Sequence, residues 1–202
     1  MRSLLLGTRN PGKIHEIKLI LGDVGVELHS LQEFSSVDVA EENAETYAEN
    51  AIAKAQFYAR ATGMLALADD SGLEVEALGG APGVLSARYA GADASDADRR
   101  ALLLAELTKT GNDYCENRRA RFVCAIAIAT ADGEVLNVSE GICNGSITFA
   151  PRGDSGFGYD PLFIPDGYDK TFAELSDDVK NQISHRARAL IELRSFFQSV
   201  FH

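Results

Sequence analysis

The sequence predicts an α/β fold: a mixed, elongated central sheet flanked by helices, with two lobes and a cleft between them, in one domain over 1–202. Three observations predict it. Short apolar runs of strand length alternate with helical apolar patterns, the chain opens on a strand followed directly by a capped helix, and Asp132-Gly133 marks a hairpin. No internal repeat or low-complexity tract divides the chain.

The elements follow in order. A short buried strand is expected over 3–7, after which Asn10 caps a helix with Pro11 at its first position and Gly22 just past its end. Ile14, Ile17 and Leu21 form its apolar stripe. A second strand fits 26–30, and a long helix fits 44–62 before Gly63, burying Ala44, Ala48, Ala51, Ile52, Ala55 and Ala59. Residues 64–68 read as a strand ending in Asp69-Asp70-Ser71-Gly72, followed by 73–77 and then a Gly/Pro loop over 79–83. Ser95 and Asp98 resemble a capping box that opens a helix through Ala101, Leu104 and Leu107, ending before Gly111. Strands are expected over 121–131 and 134–138, with 142–149 continuing the sheet. From Ser184 an amphipathic helix carries Ala187, Leu190, Ile191, Phe197 and Val200.

Composition bounds the function. The chain has 202 residues, 46% hydrophobic and 24% charged, enough for a full core without disulfide or metal staples. Thirty acids against 19 bases leave a formal charge of −11, whose field repels nucleic acid and anionic membranes. A small anion therefore needs a local basic pocket. No apolar run reaches the roughly 18 residues of a spanning helix, and the opening residues lack a signal peptide's apolar core, so the expected compartment is the cytoplasm. Cys115, Cys124 and Cys143 show no C-x-x-C spacing and read as reduced thiols.

Several motifs can carry chemistry. Thr8-Arg9-Asn10-Pro11-Gly12-Lys13 joins a strand to a helix start, where free N–H groups and the dipole favour an anion. Lys13 there opposes the dipole by roughly 0.3–1 kcal/mol, a cost that a bound phosphate reverses. A capped turn with a solvated lysine accounts for the same residues. Asp69 and Asp70 point to opposite strand faces, so only one easily meets a ligand, as a Mg²⁺ ligand or an orienter of water. Alone, Asp-Asp-Ser-Gly reads better as a turn. Glu41-Glu42 could add a second ligand or serve as helix-dipole partners. Asn50 and Lys54 lie one turn apart, off the alanine stripe, and either reach one ligand or occupy a solvated face. Arg88 is either a phosphate partner or a surface arginine. Phe157 and Tyr159 among glycines could wall a planar base, and Lys180, His185 and Arg186 could donate to a carbonyl-bearing heterocycle. Singly, each is accounted for by a core anchor or a surface side chain.

Taken together, T-x-N-x-x-K at 8–13, E-N-A-x-x-K-A at 49–55, A-D-D-S-G-L at 68–73, G-G-A-P-G at 79–83, S-A-R-Y at 86–89, G-F-G-Y-D-P at 156–161 and I-S-H-R at 183–186 resemble the inosine/xanthosine triphosphate pyrophosphatase family. The ordered match runs over nearly the whole chain. The resemblance implies a single nucleoside triphosphate pyrophosphatase domain over 1–202, a Mg²⁺-dependent homodimer that hydrolyses ITP, dITP and XTP to monophosphate and pyrophosphate. By the family pattern Asp70 would be general base and metal ligand, and Glu41 a further metal ligand. Thr8, Arg9, Asn10, Pro11, Gly12 and Lys13, with Lys54 and Ser71, would hold the triphosphate; Phe157, Gly158, Tyr159, Asp160, Lys180, His185 and Arg186 would hold the base. Arg9 stands where a small residue is usual, and Asp154-Ser155 replaces part of a glycine run. The rival readings are a pyrophosphatase preferring dTTP or UTP, resembling the Maf family, and a nucleotide sensor without catalysis.

Overall fold

A computed structural model describes residues 2–22, 24–111 and 118–201. Six strands form one sheet in the order β2-β1-β3-β4-β5-β6: β1 (Arg2–Leu6), β2 (Val26–Ser30), β3 (Leu65–Val75), β4 (Arg119–Ala129), β5 (Val135–Ile147) and β6 (Phe163–Pro165). β1 pairs in parallel with β2 and β3, whereas β5 and β6 are antiparallel, so the sheet is mixed. Among the described residues five α-helices accompany it: α1 (Pro11–Leu21), α2 (Tyr47–Thr62), α3 (Asp96–Lys109), α4 (Asp177–Ile183) and α5 (His185–Phe201).

By contacts the chain divides into two units. Unit 1 comprises 1–70, 124–141 and 185–202; unit 2 comprises 71–123 and 142–184. In unit 1, Leu4, Leu6 and Leu67 of β1 and β3, Ile126 and Ile128 of β4, Ile17 and Leu21 of α1, and Leu190, Leu193 and Phe197 of α5 share one core. In unit 2, Leu73, Leu103, Leu107 and Ile147 pack with Phe122, Phe163 and Phe172, whose ring centroids lie 4.7–6.0 Å apart. Such aromatic contacts add roughly 0.5–1.5 kcal/mol per pair beyond burial.

The caps behave as the sequence dictates. Asn10 Oδ1 accepts from the N–H groups of Gly12 and Lys13, Thr46 caps α2, and Ser95 with Asp98 forms a reciprocal capping box on α3. Four expectations are corrected. β3 runs unbroken through Asp69-Asp70-Ser71-Gly72, because buried cationic partners favour an extended chain over the turn those residues would otherwise make. The two expected strands over 134–138 and 142–149 are one strand, β5. α2 starts at Tyr47, leaving Ala44 outside it. On α5, Ile191 is half exposed and Leu193 takes the core position instead. β6 and α4 are additions, too short to show a sequence period. Cys124 and Cys143 are buried free thiols, as expected, while Cys115 lies outside the described residues.

Candidate active site

The chemistry of unit 1 gathers where β3 passes the start of α1 and the middle of α2. Asp69 is fully buried, and three cationic donors converge on its Oδ2: Lys13 Nζ at 3.0 Å, and Arg186 Nε and Nη2 at 3.1 and 3.0 Å. Its Oδ1 is buried with no hydrogen-bond partner among the described residues. Burial alone would raise this acid, but Lys13, Arg186 and Lys54 outweigh it and hold the carboxyl far below the usual aspartate range. Arg186 Nη1 in turn donates to Glu16 of α1 at 2.5 Å. The four groups Lys13, Arg186, Asp69 and Glu16 thus balance two positive charges against two negative.

Asp70, the next residue, faces a different environment. Asn50 Nδ2 donates to its Oδ2 at 3.0 Å, and it is 6% exposed. Burial pushes its pKa up; Lys54 and Lys13 pull it back, Glu42 and Asp69 push it further, and the net direction is upward. An acid whose pKa is raised in this way is suited to take a proton.

Lys54 Nζ donates to Glu42 Oε1 at 2.5 Å and to the Asp69 carbonyl at 2.6 Å. Burial pulls its pKa down, but the charges of Asp69, Glu42 and Asp70 prevail and raise it, so it stays an ammonium. Asn50 also exchanges hydrogen bonds with the Ala44 main chain, fixing the segment that carries Glu41 and Glu42. The solvated-face account of Asn50 and Lys54 is thereby corrected: both are buried, because partners on other segments compensate their polarity.

Each remaining expected residue has a definite place. Thr8 Oγ1 accepts from the Asn10 N–H, and exposed Arg9 donates to the Val37 carbonyl at 2.5 Å. Asn10 already caps Gly12 and Lys13, so those two N–H groups are satisfied locally rather than held open for an anion. Pro11 occupies the first helical position. Glu41 is exposed, accepting from Asn43 Nδ2 at 2.8 Å. His185 is buried at the start of α5, and Arg186 beside it is 1% exposed, with three guanidinium hydrogen bonds committed to Asp69 and Glu16. Arg186 thus pairs with two carboxylates, Asp69 and Glu16.

In unit 2, Ser71 and Arg88 are half-buried, and Phe157, Gly158, Tyr159 and Asp160 form a tight loop. Asp160 Oδ2 accepts from the Phe157 N–H at 2.8 Å and from Lys180 Nζ at 2.6 Å, and Lys180 lies 4.9 Å from the centroid of the partly exposed Phe157 ring. A Cβ at Gly156 would collide with the Asp160 carboxylate, and its φ of +75° suits glycine alone. Tyr159 differs from Phe157. It is buried in the core with its hydroxyl donating to the Ser86 carbonyl at 3.0 Å, which anchors the loop.

Among the described residues no three His, Cys, Asp or Glu side chains gather to hold a metal. Mg²⁺ needs only one or two carboxylates alongside substrate oxygens. Asp70, raised by burial and by neighbouring acids, and the exposed oxygens of Glu41 fit such a hard cation, whereas Asp69 Oδ2 is already taken by three cationic donors.

The Ham1 family model matches residues 4–196. The chain belongs to the Ham1 family. It is 50% identical over 197 residues to a dITP/XTP pyrophosphatase of Syntrophobacter fumaroxidans, covering 98% of this chain and 82% of the relative. It is 45% identical over 199 residues to the dITP/XTP pyrophosphatase of Bacillus subtilis, covering 98% of each. A solved HAM1 protein from Coxiella burnetii shares the fold with a TM-score of 0.87 at 40% identity, over 98% of this chain and 100% of that one.

The residues that sequence reasoning misses are Glu16, as the partner of Arg186, and Asn50, as the holder of Asp70. The available signal for Glu16 is an acid one turn beyond Lys13 on the face of α1 that also carries Ile17.

Proposed function

We propose that this Ham1 chain hydrolyses ITP, dITP and XTP to the monophosphate and pyrophosphate with Mg²⁺, as a cytoplasmic homodimer that removes deaminated purines from the nucleotide pool. The observation that carries the reading is the convergence of Lys13 and Lys54 on the Asp69-Asp70 pair, a cationic grip beside a carboxylate of raised pKa. Its support from relatives is that the similar Syntrophobacter and Bacillus proteins are dITP/XTP pyrophosphatases. No helix among the described residues is long and apolar enough to cross a membrane.

In the proposed mechanism, Thr8, Arg9, Asn10, Pro11, Gly12 and Ser71 surround the phosphates, and Lys13 turns from Asp69 toward them. Arg186 remains paired with Asp69 once Lys13 leaves. Asp70, oriented by Asn50, accepts a proton from the water that attacks the α-phosphorus, and pyrophosphate departs against the charges of Lys13 and Lys54. Glu41 and Asp70 would hold Mg²⁺, which when bound would supply charge neutralisation at the phosphate oxygens. Phe157 stacks on the purine, with Gly158, Asp160, Lys180 and His185 around it. Donors there accept a 6-keto group and face the donor amino group of adenine, which leaves buried groups unpaired.

The test incubates purified protein and Mg²⁺ with ITP, dITP, XTP, ATP, GTP, dTTP and UTP, measuring pyrophosphate against orthophosphate. Pyrophosphate chiefly from ITP, dITP and XTP is expected. Orthophosphate release, preference for dTTP or UTP, or binding without turnover overturns the proposal.

A further inference from the structure

The loop proposed to carry the purine wall is held from outside by a helix that belongs to neither the phosphate grip nor the base-contacting residues. Asp96 Oδ2 of α3 accepts from the Gly158 N–H at 2.7 Å, and Arg100 Nη1, one turn further along, donates to the Gly158 carbonyl at 2.7 Å. Both are charge-assisted bonds, stronger than neutral ones. The i,i+4 spacing puts the two side chains on one face of α3, and they grasp the two peptide groups that flank a single residue. Gly158 sits at φ +58°, and Gly156 two residues earlier is also left-handed, so the loop has little conformational preference of its own to hold the Phe157 ring in place. Asp96 is itself steadied by Arg99 Nη1 at 2.6 Å and lies in the first turn of α3, where the dipole favours its charge.

We propose that Asp96 and Arg100 are positioning residues for base recognition: they clamp Gly158 so that the Phe157 ring is set before the nucleotide arrives. The inference rests on the purine-wall reading of that loop. Preorganisation of this kind lowers the ordering cost of binding and leaves the chemical step alone, so its loss is felt in KM and in purine selectivity.

The test measures kcat and KM for ITP and GTP in wild type, D96A, R100M, D96N and R100K. D96A and R100M are expected to raise the KM for ITP about tenfold with kcat within about twofold, and to narrow the preference for ITP over GTP. D96N, which keeps an acceptor, and R100K, which keeps a donor, recover part of the loss. If D96A frays α3, R100M decides alone, since Arg100 lies beyond the cap. Lowered thermal stability with unchanged KM and selectivity would mean a purely structural contact and overturn the clamp. Absence of pyrophosphate release from every purine triphosphate by the wild type instead overturns the parent reading.

Discussion

Lys13 Nζ stands 3.0 Å from the fully buried Oδ2 of Asp69, so the first turn of α1 is tied by charge to the strand that carries the proposed base. The next residue, Asp70, points to the other face of β3 and feels the opposite balance. One acid is pulled down by cations and the other is pushed up by burial, although one peptide bond separates them.

For Asp69 the folded-state pKa lies below the unfolded value of about 3.9, so its stabilisation is complete above that pH and is lost as pH falls toward the lower folded value. D69N leaves Arg186 and Lys13 short of an anion. Its expected cost at pH 7 is about 3 kcal/mol, as for breaking a buried ion pair. Denaturant unfolding at pH 7 and pH 3 checks this: the gap from wild type should shrink at the lower pH.

For Asp70 the sign reverses. Its raised pKa favours the folded state most below the unfolded value, and that advantage is lost as pH rises through the folded value. At neutral pH the charged carboxylate therefore costs stability. D70N should abolish pyrophosphate release yet raise the melting temperature in chelator, the trade expected of a residue kept for chemistry. A lower melting temperature counts against this electrostatic account.

R186M should destabilise strongly, by about 3 kcal/mol or more, because buried Asp69 and Glu16 both lose the guanidinium. Adding E16Q removes one of those two buried negative charges, so the double variant should be more stable than R186M alone. Thermal melts of R186M, E16Q and the double variant read the coupling directly. Strict additivity would contradict the four-charge network.

Phe157 and Tyr159 should separate cleanly. F157A is expected to raise the KM for ITP about tenfold with a smaller change in kcat, as loss of one stacking face implies. Y159F leaves the Ser86 carbonyl without its donor, so it should cost about 1 kcal/mol of stability and little activity. Steady-state kinetics beside melting curves distinguish the two.

Much of the fold is legible because its signals are local. Asn10, Pro11 and Gly22 bracket α1, and Ser95 with Asp98 opens α3, each through hydrogen bonds or backbone preferences within a few residues. The continuity of β3 is not legible, since Asp-Asp-Ser-Gly has turn composition and only Lys13, Lys54 and Arg186, brought from three other segments, make an extended chain the better solution. The burial of Asn50 and Lys54 escapes for the same reason: their partners Asp70, Asp69 and Glu42 come from elsewhere in the chain. Glu16 meets Arg186 across 170 residues, a separation that no periodicity reports. Phe157 and Tyr159 look equivalent in sequence, and only packing shows that one ring is partly exposed while the other is sealed against Ser86.

The most direct measurement of where Asp70 aims the water is hydrolysis of ITP in ¹⁸O-water, followed by mass spectrometry of both products. Attack at the α-phosphorus puts the heavy oxygen in the monophosphate and leaves pyrophosphate unlabelled. Label in the pyrophosphate, or in released orthophosphate, would contradict the account.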